Sequence, residues 1–177
     1  MGIRDDEDSV RAIVAIQQLA VSYAFGVDSR DLDLVASLFV DEIDRGPEGV
    51  GRDALRASLQ RSLAQIGATI HVVTNHVVRI VDADHATGVV YHRGERHELD
   101  GTWSTRMGAY EDEYERRGGE WLIARRTLRY WYGDDPVPGA PTVRSTNVTG
   151  PRAAVPGETL PGVWPSWNRF WADRGDR

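Results

Sequence analysis

Two histidines lie in one strand-like segment and are the first candidates for chemistry. His71 and His76 both fall between Thr69 and Val81, a stretch rich in β-branched residues. Side chains alternate along a strand, so His71 shares one face with Asn75, and His76 lies on the opposite face unless a bulge intervenes. An imidazole changes charge near neutral pH and can accept or donate a proton. Either residue could therefore be an acid or a base.

Two charged residues stand beside apolar segments. Asp28 begins an Asp-Ser-Arg-Asp turn between two helical patterns, where an acid commonly caps free backbone N–H groups. Arg126 alternates with Leu122, Ala124 and Leu128, and a cation on an apolar face has to find a carboxylate or a polarised oxygen. Asp28 is therefore either a cap or the partner of a histidine. Arg126 is either half of a structural ion pair or a ligand-binding group.

The elements that must position these residues follow from hydrophobic periodicity. Apolar residues at helical spacing predict two helices between Val10 and Phe39, joined near Asp28, and a third over Arg52 to Leu63. Four β segments follow: Thr69 to Val81, Ala86 to His92, Trp103 to Tyr114 and Trp121 to Trp131. The stretch from His92 to Gly101 resembles a turn. Helices followed by a run of antiparallel strands predict an α+β fold with the helices on one face of the sheet.

Composition bounds the class of protein. The chain has 177 residues, a net charge of −6, a pI near 5.3 and no cysteine, so we expect one domain without disulfides or thiolate metal sites. The arginines are scattered among acids, which argues against nucleic acid as a partner. No long apolar run and no basic leader is visible, so we expect a cytoplasmic protein that is not bound to a membrane. Motifs for metal, phosphate and a serine nucleophile are absent, and we expect no metal and no cofactor.

The last part of the chain differs from the rest. We expect the domain to span residues 1–132 and residues 133–177 to form an irregular, proline-rich extension. Its aromatic residues Trp164, Trp167, Phe170 and Trp171 would be costly to leave in water. The extension should therefore pack on the same domain or on a neighbouring subunit, and a lid over a pocket is the alternative.

Four segments carry a resemblance to a known family: Ala15 to Leu19, Phe25 to Asp31, Thr69 to Asn75 and Asp112 to Trp121. They resemble the SnoaL-like, or nuclear-transport-factor-2-like, superfamily, and in particular its hexachlorocyclohexane dehydrochlorinases, scytalone dehydratases and bile-acid 7α-dehydratases. The resemblance covers about Val10 to Tyr132. It implies a cone-shaped α+β barrel with the N-terminal helices packed on a curved, mainly antiparallel sheet.

The resemblance also implies a site. The family's catalytic positions fall on Asp28, His71, Tyr23 and Arg126, with His71 as the base and Asp28 as its partner. The dehydrochlorinases have Lys where this chain has Tyr23, and the bile-acid dehydratases have Tyr, which favours an oxygen leaving group over chloride. The implied activity is a cofactor-independent elimination from a hydrophobic cyclic molecule. The match assigns Asn75 to the pocket face and His76 to the outer face.

Several alternatives stay open. Trp103, Met107 and Tyr130 are candidate substrate-binding residues, although aromatic residues at strand spacing are also ordinary core. His97 has a loose positional match to a second catalytic histidine of scytalone dehydratase. The same acid–base pair could serve an isomerase or polyketide cyclase, and the same fold serves as a non-catalytic ligand-binding or oxygenase small-subunit module. The relatives further imply a homo-oligomer, a trimer before a dimer.

Overall fold

The computed structural model describes residues 7–133 and 165–172, without the side chains at positions 130, 132 and 133. The helices are α1 (Glu7–Ser29), α2 (Leu32–Ser37), α3 (Arg52–Leu63) and α4 (Pro165–Ala172), with a short 3-10 helix at Gly46–Glu48. The strands are β1 (Ile66–Ile80), β2 (His85–Glu98), β3 (Trp103–Arg117) and β4 (Glu120–Gly133). They form one antiparallel sheet in the order β1-β2-β3-β4. The predicted α+β fold is confirmed.

The core lies between the helices and one face of the sheet. Ile16 of α1, Val35 of α2 and Leu55 of α3 are buried against Tyr114 of β3 and Ile123 of β4. Apolar burial on this scale is the main stabilising term for a domain of this size. α1 is long and apolar enough to cross a membrane by length and composition alone, a test that the core helix of a globular domain also passes.

A bulge in β1 changes which residues face the helices. Val73 pairs with His92 and His76 pairs with Val90, so Thr74 and Asn75 together oppose one residue of β2. Beyond the bulge the alternation is shifted by one residue, and His76 returns to the inner face while Asn75 is exposed. The assignments of Asn75 to the pocket face and of His76 to the outer face are therefore wrong.

A second bulge lies in β4. Ile123 pairs with Tyr114 and Arg125 pairs with Glu113, which leaves Ala124 as the extra residue. Arg126 consequently faces inward together with Ile123, not with Leu122 and Ala124 as strict alternation predicts.

β2 is longer than its sequence suggests. It extends through Glu98, and the turn occupies positions 99–102, so the predicted turn from His92 to Gly101 is wrong over most of its length. Its polar end is held by cross-strand hydrogen bonds: Thr105 Oγ1 donates to Glu95 Oε2 at 2.7 Å and Ser104 Oγ to Glu98 Oε1 at 2.6 Å. Polar side chains that pair across strands are compatible with a sheet.

The junction of α1 and α2 places Asp28 on the last turn of α1. Arg30 follows with φ 61°, the only left-handed backbone conformation of a non-glycine residue in the described chain. Asp31 then caps α2, because its Oδ1 accepts from the Leu34 N–H at 3.0 Å. The capping role considered for Asp28 thus belongs to Asp31.

The C-terminal helix α4 packs on the same chain. Phe170 is buried within the main core, and Ser166 Oγ donates to the Ser29 carbonyl at 2.7 Å. The rest of the predicted irregular segment, positions 134–164 and 173–177, lies outside the described residues.

Candidate active site

Asp28 and His71 form a close pair at the interface of α1 and β1. Asp28 Oδ1 lies 2.7 Å from His71 Nδ1, and Oδ2 accepts the His71 backbone N–H at 2.7 Å. Their side chains are only 13% and 16% exposed, so water weakens the contact little. The single carboxylate thus fixes both the ring of His71 and an N–H group on the edge of the sheet.

Thr69 completes the environment of Asp28. The Thr69 hydroxyl donates to Asp28 Oδ1 at 2.8 Å. An ionised carboxylate accepts hydrogen bonds only, so Nδ1 of His71 is the nitrogen that carries the proton. The neutral ring then presents an unprotonated Nε2 on its other edge. This is the form that a proton-abstracting base requires.

Arg126 is held by a buried carboxylate on β3. Its Nε and Nη2 donate to the two oxygens of Asp112 at 2.8 and 2.6 Å, and Asp112 is wholly buried. Tyr114 Oη donates to Asp112 Oδ2 at 2.8 Å and lies 3.1 Å from His76 Nε2. Burial raises the pKa of Tyr114 well above its usual range, helped by the charge of Asp112. His76 therefore supports an ion-pair network rather than the Asp28 pair.

Aromatic rings enclose the guanidinium of Arg126. Its Cζ lies 4.3 Å from the ring centroid of Tyr23 and 4.2 Å from that of Tyr110, at cation–π distance. Its Nη1 is buried and has no hydrogen-bond partner among the described residues. A buried donor without a partner is costly, and an oxygen atom of a ligand would satisfy it. The contact that the structure shows for Tyr23 in this cluster is thus the packing of its ring on the guanidinium of Arg126.

His92 belongs to this cluster, whereas the sequence placed it only at the end of a strand, beside a polar turn. Its ring stacks on Tyr110 with centroids 4.2 Å apart and on His71 at 6.0 Å. Burial lowers the pKa of His92 to about 4, helped by electrostatic effects of the neighbouring His71 and of Arg126, so the ring is neutral near pH 7. Its Nδ1 is buried without a partner among the described residues.

Gly108 makes room for His92. A Cβ at this position would lie 2.7 Å from His92 Cε1 and 2.8 Å from the carbonyl oxygen of Arg129. The spacing of Val90, His92 and Gly94 at every second residue was the signal in the sequence that β2 continues past His92. All three residues are buried on one face of β2. The clustered polar residues after His92 obscured it.

The remaining candidates lie elsewhere. β3 alternates without interruption against β2, so Trp103 and Met107 fall on the face opposite to Tyr110 and Asp112. Their assignment to the pocket is therefore corrected. The ring of His97 lies 5.0 Å from that of Trp103, beside the turn that joins β2 and β3. Tyr130 pairs with Gly108, and its side chain lies outside the described parts of the chain.

A model of the SnoaL-like domain matches residues 8–127. The chain belongs to the SnoaL-like domain family. The suspected superfamily is therefore confirmed, and α4 lies beyond the matched part of the chain.

Several proteins similar to this chain carry the names of enzymes. The chain is 30% identical over 126 residues to hexachlorocyclohexane dehydrochlorinase 1 of Sphingobium indicum, which covers 68% of this chain and 82% of the relative. The crystal structure of a type 2 hexachlorocyclohexane dehydrochlorinase superposes with a TM-score of 0.65 at 26% identity, over 71% of this chain and 89% of that one. A provisionally assigned scytalone dehydratase from Novosphingobium aromaticivorans has the same TM-score at 24% identity, over 84% and 99%. At 24% identity, the likeness to the scytalone dehydratase structure shows the fold alone.

Among residues 7–133 and 165–172, no group of three or more histidines and carboxylates is close enough together to hold a metal ion. The second His–carboxylate pair, His85 with Asp82 at 2.9 Å, lies on an exposed turn. Its side chains are each 57% exposed, so it lacks the enclosure of the Asp28 pair.

Proposed function

We propose that the chain is a cofactor-independent lyase that removes water from a hydrophobic cyclic small molecule. The observation that carries this proposal is the enclosed Asp28–His71 pair, in which Nδ1 donates to the carboxylate and Nε2 is left free. A histidine oriented in this way by a carboxylate is suited to take a proton from carbon. The relative named as a dehydrochlorinase catalyses a reaction of the same class, by its name.

The elimination needs one proton acceptor and one group that stabilises negative charge. His71 Nε2 takes the C–H proton, the C–H electrons form the new double bond, and the C–O bond breaks. The proton on His71 then passes to the departing hydroxide, which leaves as water, so that the histidine ends the cycle neutral. Asp28 stabilises the intermediate imidazolium and preserves its orientation.

Arg126 and His92 are suited to the oxygen atoms of the substrate. Arg126 Nη1 is a buried donor that lacks a partner among the described residues, and it lies in the same cluster of rings as His71. A preorganised donor in a dry site stabilises charge that develops on oxygen. His92 stays neutral, so it polarises an oxygen through an N–H group instead of donating its proton outright. Tyr23 orients Arg126 through its ring and is available as a second donor.

Two other functions use the same residues differently. An isomerase or polyketide cyclase would use His71 to move a proton without losing water, which leaves the mass of the substrate unchanged. A non-catalytic binding module would need a surface for the ligand but not a paired histidine. The buried pairing of His71 with Asp28 favours catalysis over binding, because an enclosed charge has a desolvation cost that ligand binding alone does not require.

The test is a screen of hydroxylated cyclic compounds for loss of water by mass, followed by kinetics. His71→Ala and Asp28→Asn should each lower kcat by ~10² to 10⁴-fold, and the double variant should be little worse than either single variant. His85→Ala and Asp82→Asn are matched controls, because they change an exposed pair of the same type. Full activity in Asp28→Asn, or product of unchanged mass, would reject a dehydrating lyase.

A further inference from the structure

Arg30 lies directly behind the Asp28–His71 pair. It is 2% exposed, and its guanidinium is held from three sides. Nη1 donates to the Val27 carbonyl at 2.7 Å and to Thr69 Oγ1 at 2.8 Å, and Nη2 donates to the Gly67 carbonyl at 3.1 Å. The side chain therefore joins the end of α1 to the start of β1, the two segments that supply Asp28 and His71.

Arg30 determines the direction of the hydrogen bonds at the site. A guanidinium has donors only, so Thr69 Oγ1 must accept from Arg30. A hydroxyl has a single proton, and that proton is then free to point at Asp28 Oδ1, 2.8 Å away. The chain runs Arg30 to Thr69 to Asp28, and the carboxylate also accepts the Nδ1–H of His71. Each link is buried, so water cannot easily replace a lost partner.

Helix α4 covers the outer side of Arg30. The Arg30 Cζ lies 4.8 Å from the ring centroid of Trp167 and 5.7 Å from that of Phe170. The hydrogen bond from Ser166 to the Ser29 carbonyl attaches the beginning of α4 to the residue between Asp28 and Arg30. Burial lowers the pKa of Arg30 to about 10, with the charge of Asp28 opposing the change, so the cation persists at neutral pH.

We propose that α4, through Arg30 and Thr69, is a positioning device for the Asp28–His71 pair. The rings of α4 hold the guanidinium, the guanidinium fixes the Thr69 hydroxyl, and the hydroxyl holds the carboxylate that selects the tautomer of His71. Arg30 and Thr69 are thus positioning residues. The catalytic role of this chain of hydrogen bonds rests on the lyase proposed above. The geometry of the hydrogen bonds can nevertheless be tested without a substrate.

The Nδ1–H proton of His71 reports on the chain directly, and its exchange with water can be followed by NMR in the full-length protein. Thr69→Val removes the hydroxyl at similar volume, and Trp167→Leu removes the ring over Arg30. Each should accelerate exchange of the Nδ1–H by ~3- to 10-fold, because one link of a buried chain is lost. Thr69→Ser restores the hydroxyl and should exchange as the parent does.

Leu63→Ala is the control for a general loss of stability, because Leu63 is buried in the core and has no part in the chain. It should leave the exchange of His71 within about twofold of the parent. Unchanged exchange in either Thr69→Val or Trp167→Leu would overturn the proposal, as would equal acceleration in Leu63→Ala. If exchange changes as expected but no dehydration is found, the proposed lyase activity is wrong and the proposed chain of hydrogen bonds from α4 to His71 is supported. If dehydration is found and exchange in Trp167→Leu is unchanged, the proposal for α4 is overturned and the lyase stands.

Discussion

Replacing Asp112 by Asn tests the buried network around Arg126 without any substrate. Asp112 is fully buried and accepts three hydrogen bonds, two from Arg126 and one from Tyr114. Asparagine keeps one acceptor oxygen and turns an NH₂ group toward a donor of Arg126, whose side chain is 6% exposed. The cation would then be buried without a counter-charge.

The expected loss follows from that burial. Removing one partner of a buried ion pair costs about 3–5 kcal/mol in the free energy of unfolding. For a chain of 150–250 residues, each kcal/mol lowers the melting temperature by about 2–4 °C, so Asp112→Asn should lower it by roughly 6–20 °C. Burial lowers the pKa of Arg126, and in the parent the hydrogen bonds and charge of Asp112 more than offset that effect, so Asp112→Asn removes the main contribution that keeps this buried cation favourable.

Urea unfolding and thermal melts of the parent, Asp112→Asn and Glu111→Gln measure this difference. Glu111 is the matched control, because it pairs with Arg129 at 3.0 Å with both side chains more than half exposed. Its change to Gln should cost less than ~1 kcal/mol. A double variant, Asp112→Asn with Arg126→Met, should recover part of the loss by removing the unpaired cation. Equal losses in Asp112→Asn and Glu111→Gln would refute the reasoning.

Two further predictions concern pH and assembly. The pKa of His92 is about 4 in the folded chain and ~6.5 when unfolded, so the unfolded state binds more protons between these values and stability should fall as pH drops from 6.5 toward 4. Urea unfolding at pH 7 and pH 5 should show a smaller difference for His92→Gln than for the parent, and equal differences would contradict the assigned burial. We also propose a homo-oligomer, a trimer before a dimer, because Val72, Val77 and Trp131 are exposed on the outer face of the sheet. Sedimentation should detect an oligomer that Trp131→Glu weakens, and a stable monomer at micromolar concentration would count against it.

Hydrophobic periodicity was sufficient for the order of helices and strands. It predicted the segments that carry Asp28, His71 and Arg126, and the structure places all three toward the interior. Which residues share a face depends on strand phase, and one extra residue reverses that phase. The bulge at Thr74 and Asn75 is stabilised by pairing with β2, which is a long-range contact without a local signature.

His92 illustrates a different limit. The polar residues after it resemble a turn locally, yet they pair across β2 and β3 through cross-strand contacts such as that between Thr105 and Glu95. Its neutral state results from enclosure by Tyr110 and by elements distant in sequence. Neither the length of β2 nor the environment of His92 could be predicted from local composition.

The left-handed backbone at Arg30 bears on how the family can diverge. A non-glycine residue in this conformation costs about 1–2 kcal/mol, and glycine or asparagine would occupy it more easily. Glycine would relieve that strain, but it would also remove three hydrogen bonds and the contacts of the guanidinium with the rings of α4. A relative with glycine at this position would therefore have to join α1, β1 and α4 by other contacts. The positive φ of Arg30 thus marks a position where the side chain contributes more than an easier backbone conformation would.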